Sequence, residues 1–138
     1  MFKNILVPTD LSEKSMKALD IAIKTGAEDC RITLLHVIET IEEEDQENFE
    51  EFYEKLKARA ERKMDKMASR YADKNHAIYK EILLGKRVRE IVRFAYEQDM
   101  DLIILSSHRI DKVDAAVGWA TISYRVGILS HCPVMMVK

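Results

Sequence analysis

The sequence predicts an α/β domain in which a doubly wound, five-stranded parallel sheet in the order 3-2-1-4-5 carries helices on both faces. Five short apolar runs alternate with longer amphipathic stretches, a pattern typical of strand–helix repeats. The runs are almost continuously apolar, as expected when helices cover both sides of each strand. The length of 138 residues suits a single domain that spans residues 1–138.

The predicted strands are rich in isoleucine, leucine and valine. In chain order they are Phe2–Val7, Arg31–Val37, Ala77–Leu84, Asp101–Leu105 and Pro133–Val137. Alternation of strands with helices favours parallel strands joined by right-handed crossovers. In such sheets ligands bind beyond the carboxyl ends of the strands, at the point where the strand order reverses. We therefore expect a ligand site between the ends of the first and fourth strands.

The stretches between the strands carry apolar residues at three- and four-residue steps, which predicts helices. These helices are Ser12–Ala27, Asn48–Lys74, Arg87–Gln98 and Gly118–Ser130. The apolar face predicted for the last helix consists of Trp119, Ile122, Val126 and Leu129.

The longest predicted helix has an apolar stripe and a segregated charge distribution. The stripe, which we interpret as core packing, consists of Phe49, Phe52, Leu56, Ala60, Met64, Met67 and Tyr71. The segment from Glu39 to Glu54 has nine acidic and no basic residues, whereas the segment from Lys55 to Arg70 has seven basic and two acidic residues. Acidic residues near the start of a helix and basic residues near its end interact favourably with the helix dipole. A docking surface for a charged partner is the alternative interpretation.

The composition argues against several classes of partner. The net charge of −2 gives no general attraction to nucleic acid or to an anionic membrane. The two cysteines, Cys30 and Cys132, have no spacing typical of metal ligands, and we interpret them as small, partly buried thiols. The start, MFKNILVPTD, resembles neither a signal peptide nor a spanning helix, so we expect a cytoplasmic protein.

Polar residues follow the first strand at the expected ligand site. Pro8, Thr9 and Asp10 leave this strand, and Asp10 is separated from Glu13 by the spacing of a helix-capping box. Asp10 could therefore cap the next helix. It could equally direct its carboxylate at donors of a ligand, such as an adenine amino group, and the two roles are compatible.

The fourth strand is followed by Ser106, Ser107, His108 and Arg109. About ten residues later a helix begins near Gly118, and its free N–H groups would suit an anion. Hydroxyls of Thr121 and Ser123 and the guanidinium of Arg109 could also bind phosphate, although Thr121 or Ser123 could instead cap the helix. The stretch between Gly85 and Gly118 contains no glycine, which argues against a close phosphate-wrapping loop.

Catalytic and classical nucleotide motifs are missing from the sequence. Neither GxGxxG nor GxxxxGKS occurs. No nucleophile elbow surrounds Ser106 or Ser107, so Ser/His catalysis is disfavoured, and His36 inside the second strand is interpreted as a packing residue.

Several segments together resemble the universal stress protein family over essentially the whole chain. They are KNILVPTDLSEKSMKAL, the strand segment LLHV, the segment DLII with its following Ser107-His108, and the ending HCPVMMVK. The resemblance implies an adenine nucleotide alpha hydrolase-like fold, stress-linked regulation in the cytoplasm and a homodimer through the last strand, Pro133–Val137. In one branch of the family it also implies ATP binding.

By matching position, that branch would contact adenine through Pro8, Asp10 and Val37. In that branch the phosphates of ATP bind to a loop whose pattern is G-x-x-G, then nine residues, then G-S or G-T. This chain has Ser106, Arg109 and Ala120 where that pattern has glycines, and keeps only the hydroxyl position, Thr121. The nucleotide-contacting residues expected from strand ends and resemblance are Pro8, Thr9, Asp10, Val37, Ser106, His108, Arg109, Ala120, Thr121 and Ile122.

Two functional hypotheses follow. The first is a non-enzymatic regulatory module that weakly binds ATP or AMP, with Mg²⁺ as a candidate companion. The second is a nucleotide-independent dimeric adaptor, with no cofactor, that acts through surfaces such as the charged 39–70 region. Slow ATP hydrolysis ranks last, because the sequence offers no identifiable base and no firm metal pair, Asp10 and Asp111 being only a guess at magnesium ligands.

Overall fold

The structure is a computed structural model that describes residues 2–40, 49–71, 76–107 and 122–138. The five-stranded sheet has the order β3-β2-β1-β4-β5, and every adjacent pair is parallel. The strands are β1 (Asn4–Pro8), β2 (Arg31–Glu39), β3 (Ala77–Gly85), β4 (Leu102–Ser106) and β5 (Val134–Val137). This order confirms the predicted topology.

Helices cover both faces of the sheet, as predicted. A 3-10 turn (Glu13–Ser15) leads into α1 (Met16–Thr25); the other helices are α2 (Glu50–Ser69), α3 (Arg87–Glu97) and α4 (Ile122–Leu129). Successive strand residues point to opposite faces. Ile5 of β1 therefore packs with residues of α1 and α2, and Leu6 packs with residues of α3 and α4. This division explains why the strands are continuously apolar.

All five strands differ from their predicted bounds by one or two residues, and three of these differences have local reasons. Asp101 precedes β4 because its carboxylate accepts hydrogen bonds from the backbone N–H groups of Lys3 (2.9 Å) and Asn4 (3.1 Å). β2 continues past Val37 because its last residues stay in register with the end of β3. β5 begins after Pro133, which lacks an N–H group but accepts a hydrogen bond through its carbonyl.

The predicted capping box between Asp10 and Glu13 is wrong. Asp10 Oδ1 accepts hydrogen bonds from the backbone N–H (3.0 Å) and hydroxyl (2.5 Å) of Ser12, so its side chain closes a local turn. Leu11 within this turn has a φ of 70°. The carboxylate of Glu13 instead forms an ion pair with Arg70 of α2, with an N–O distance of 3.0 Å.

Two predicted apolar faces need correction. In α2 the buried residues are Tyr53, Ala60, Met64 and Met67. Phe52, which was predicted to be in the core, is 51% exposed because the helix turns Tyr53 inward instead. In α4, Val126 is fully buried but Leu129 is 59% exposed. Trp119 lies outside the described residues.

Candidate functional site

A cavity of about 350 Å³ opens between the carboxyl ends of β1 and β4, and we call it the mouth pocket. Its volume is within the range of small-molecule sites. The lining residues are Pro8, Thr9, Asp10, Leu35, Val37, Arg87, Ile91, Leu105, Ser106, Ser107, Ile122 and Ser123. The cavity therefore lies at the predicted reversal of strand order.

The backbone holds the mouth pocket open. The N–H of Thr9, just past β1, donates to the carbonyl of Leu35 in β2 at 2.8 Å. The N–H of Ser107, just past β4, donates to the carbonyl of Val137 in β5 at 2.7 Å. Each central strand is thus tied to its outer neighbour at this end of the sheet, and the two central strands part. Side chains from both can therefore face one cavity.

Hydroxyl groups organise the β1 side of the mouth pocket. The buried hydroxyl of Thr9 lies 2.6 Å from that of Ser15, and it accepts a hydrogen bond from the N–H of Leu11. Asp10 itself is exposed, and the turn with Ser12 fixes one of its carboxylate oxygens. The first strand therefore delivers a fixed carboxylate to the rim of the cavity.

His36 supports this turn from β2. Its Nδ1 lies 2.8 Å from the carbonyl oxygen of Thr9, which must accept, so Nδ1 carries the proton. Burial lowers the pKa of His36, as do the positive charges of Arg87 and Lys63, against the opposing effects of the Thr9 carbonyl and Asp10. The structure therefore confirms the packing role inferred for His36.

The β4 side carries two hydrogen-bonded serines. Ser123 lies inside α4 and is buried, and its hydroxyl donates to the hydroxyl of Ser107 at 2.9 Å. This position corrects the alternative in which Ser123 caps the helix, because its hydroxyl faces the fourth strand.

Six of the ten expected site residues line the mouth pocket. They are Pro8, Thr9, Asp10, Val37, Ser106 and Ile122. The other four, His108, Arg109, Ala120 and Thr121, lie outside the described residues, as does Asp111.

Sequence reasoning missed several residues that line the cavity. Leu35 could have been predicted, because strand periodicity places it on the same face as Val37. Arg87 and Ile91 were harder to find, because they come from α3 and only the sheet order brings that helix to the mouth.

Metal-ligating and thiol groups do not form a site in the described part of the chain. No cluster of three or more His, Cys, Asp or Glu side chains suited to a metal ion occurs there. Both cysteines are free thiols, as interpreted from the sequence, with Cys30 buried and Cys132 partly buried. Among the described helices, none has the length and apolar character needed to cross a membrane.

Comparison with known proteins gives a consistent family assignment. The profile of the Universal stress protein family matches residues 1–138. Universal stress protein MJ0577 of Methanocaldococcus jannaschii is 31% identical, with 100% of this chain and 96% of the relative covered. Universal stress protein MJ0531 of the same organism is 29% identical, with 100% of this chain and 83% of the relative covered.

Solved structures agree with the sequence relatives. The structure of MJ0577 has a TM-score of 0.83 at 30% identity and covers 100% of this chain and 96% of its own. An Arabidopsis thaliana family member with AMP bound has a TM-score of 0.71 at 17% identity, covering 99% and 91%. A universal stress protein in complex with cAMP has a TM-score of 0.70 at 18% identity, covering 99% and 96%. The chain therefore belongs to the universal stress protein family.

Proposed function

We propose that this protein is a cytoplasmic stress-response regulator that binds AMP or ATP in the mouth pocket and does not turn the nucleotide over. The observation that carries the proposal is the cavity itself. It lies at the strand reversal and combines the rim carboxylate of Asp10 with apolar walls from β2 and β4. Relatives of the same fold are described with AMP and with cAMP, which motivates the choice of adenine nucleotides.

The apolar lining of the mouth pocket suits a nucleoside. Val37, Leu105 and Ile122 provide apolar surface for a planar base. The carboxylate of Asp10 can accept a hydrogen bond from a ribose hydroxyl or from the adenine amino group. We therefore expect the nucleoside, rather than the phosphates, to provide most of the affinity.

The phosphate side differs from the glycine-rich pattern. Ser106 stands at a glycine position and, together with Ser107 and Ser123, gives the cavity hydroxyl groups on the β4 side. A Cβ at a former glycine keeps backbone N–H groups from approaching a phosphate closely. Additional phosphates should therefore add little, so we expect AMP and ATP to bind with dissociation constants within about tenfold of each other, a difference of about 1.4 kcal/mol.

A binding role fits the groups at the mouth better than a catalytic one. The Nδ1 proton of His36 is engaged by the Thr9 carbonyl, and the lowered pKa keeps the ring neutral near pH 7. The role of His36 is therefore to hold the turn that follows β1, through its hydrogen bond to Thr9. An enzymatic assay with MgATP should accordingly give no phosphate release above that of the Asp10→Asn variant.

The test is equilibrium binding of AMP and ATP, each with and without Mg²⁺, by calorimetry. Asp10→Asn should weaken AMP binding about tenfold, because a charge-assisted acceptor is lost. Asp29→Asn is the matched control, since Asp29 pairs with Lys3 and does not line the mouth pocket. No saturable binding at millimolar nucleotide would refute the proposal.

We further propose that two copies associate through β5. This strand is a sheet edge, and the apolar side chains of Met135, Met136, Ile128 and Leu129 are exposed on it and on α4. An unpaired apolar edge strand favours pairing with another chain. Sedimentation should show a dimer that Met136→Lys converts to monomer, and a wild-type monomer at high concentration would contradict this.

The adaptor hypothesis remains the second candidate because of α2. Phe49 and Phe52 are exposed at its acidic beginning, next to Glu50, Glu51 and Glu54. Such a mixed surface can hold a protein partner. Reversing the three glutamates to lysine should then abolish co-purification of that partner, whereas unchanged co-purification would exclude this surface.

A further inference from the structure

A second cavity, of about 340 Å³, lies beside the mouth pocket and between β2 and α2. We call it the basic pocket. It is lined by Asp10, Leu11, His36, Val37, Ile38, Glu39, Leu56, Arg59, Lys63 and Arg87. Asp10, Val37 and Arg87 line both cavities, so the two are contiguous.

Three cationic side chains converge on the basic pocket from two helices. Arg59 and Lys63 are four residues apart, so they lie on the same face of α2. Arg87 is the first residue of α3, at the end of the helix where the dipole is positive. Like charges at this spacing repel each other, and a bound anion would relieve that repulsion.

The acidic groups of the basic pocket already have partners. A carboxylate oxygen of Glu39 accepts the backbone N–H of Arg87 at 3.3 Å, and Asp10 accepts two hydrogen bonds from Ser12. The ion pairs of the described residues join Lys3 to Asp29, Arg70 to Glu13, Lys80 to Asp65 and Arg93 to Glu90. Within that part of the chain, Arg59, Lys63 and Arg87 have no carboxylate in ion-pair contact. These three cationic side chains can therefore donate hydrogen bonds to an added anion.

We propose that the basic pocket is a phosphate-binding site formed by Arg59 and Lys63 of α2 and by Arg87 of α3. The planar guanidinium groups of the arginines match two phosphate oxygens at once, and the lysine ammonium adds a compact charge. The ligand class is a phosphate group, either free or carried on a molecule that extends from the mouth pocket. The proposal does not require that the mouth pocket binds a nucleotide.

His36 provides a built-in reporter for this site. It is half-buried in the wall of the basic pocket, and the charges of Arg87 and Lys63 lower its pKa in addition to burial. The other charged groups lining the cavity are Asp10, Glu39 and Arg59. An anion that neutralises Lys63 and Arg87 must therefore raise the pKa of His36.

The experiment follows the His36 imidazole by NMR during a pH titration of the full chain without nucleotide. Inorganic phosphate and sulfate are each compared with chloride at equal ionic strength, and the signal is assigned with His36→Gln. Both anions should raise the His36 pKa saturably. Arg59→Gln and Lys63→Gln should each weaken this effect about tenfold. Lys57→Gln is the matched control, because Lys57 lines cavities on another face of α2.

Two further arms identify the source of the phosphate. If it belongs to a ligand in the mouth pocket, adenosine 3′,5′-bisphosphate should bind at least about tenfold more tightly than AMP, and Lys63→Gln should remove the gain. If it is a free anion, phosphate and AMP should bind independently. A His36 pKa that responds equally to phosphate, sulfate and chloride, or a response unaffected by Lys63→Gln, would overturn the proposal. Phosphate binding without AMP binding would instead refute only the proposed nucleotide function.

Discussion

The hydroxyl of Ser123 donates a hydrogen bond to the hydroxyl of Ser107 at 2.9 Å, and both residues are buried in the wall of the mouth pocket. The contact joins two elements that are distant in sequence, the end of β4 and the first turn of α4. It therefore fixes where α4 lies relative to the cavity. It also gives that wall a polar group that the apolar strands alone would not provide.

Replacing Ser123 by alanine should remove this hydrogen bond and lower the free energy of unfolding by about 1 kcal/mol. Ser107→Ala should cost a similar amount, and the double variant should cost less than the sum, because both single changes break the same contact. Urea denaturation of the four proteins measures these differences. Ser69→Ala, on the exposed end of α2, is the control and should change little. Strictly additive effects would show that the two hydroxyls are not coupled.

Stability should fall as the pH drops below about 6.5. His36 has a lowered pKa in the folded protein, so the unfolded chain binds its proton first, from its ordinary value of 6.5 downward. Between that pH and the lower folded-state pKa, acidification favours unfolding. Urea midpoints measured from pH 7.5 to 5.5 should therefore decline.

The His36→Gln variant should show a flatter dependence over the same interval, because it lacks the titrating group. His131→Gln is the control, since His131 is exposed and contacts the ring of Tyr96. A slope that persists unchanged in His36→Gln would assign the effect to another group.

Tyr71 should ionise at a pH well above the ordinary pKa of a tyrosine, which is about 10. Burial, and then the hydrogen bond to Asp20 together with the charge of this carboxylate, raises the pKa of Tyr71 to about 12. Spectrophotometric titration should show a late phenolate transition that disappears in Tyr71→Phe. Asp20→Asn should move it to lower pH. A late transition that survives Tyr71→Phe would show that another tyrosine is responsible.

Gly85→Ala should destabilise the protein by about 2 kcal/mol or more. Gly85 has a φ of 150°, and an added Cβ would lie 2.8 Å from side-chain atoms of Glu90, which is itself buried. Gly127→Ala is a sharp contrast, because nothing lies within 4 Å of a Cβ at that position in α4. This change should stabilise the helix by about 0.5–1 kcal/mol. Equal effects at the two positions would contradict this account.

The topology was predictable because it depends on a coarse pattern. Continuous apolar strands alternating with amphipathic helices restrict the sheet to few arrangements, and the ligand site then follows from the strand order. Pro8 and Asp10 could be assigned to the mouth for this reason, since they lie at or just beyond the end of β1, whereas Val37 came from the family resemblance.

The missed features depend on contacts between distant segments. Phe52 and Tyr53 are both large and adjacent, so periodicity alone cannot decide which of them faces the sheet. The spacing of Asp10 and Glu13 fits a capping box, but Arg70 from another helix engages Glu13. The basic pocket was also hidden, because Arg59 and Arg87 belong to separate helices.

The hydrogen bonds from Thr9 to Leu35 and from Ser107 to Val137 have a kinetic consequence. They belong to the frame of the sheet, so the separation between the central strands exists before any ligand arrives. No hydrogen bond of that frame must break to admit a ligand from solvent. Ligands that fit the cavity differently should therefore have similar association rates and differ mainly in their dissociation rates.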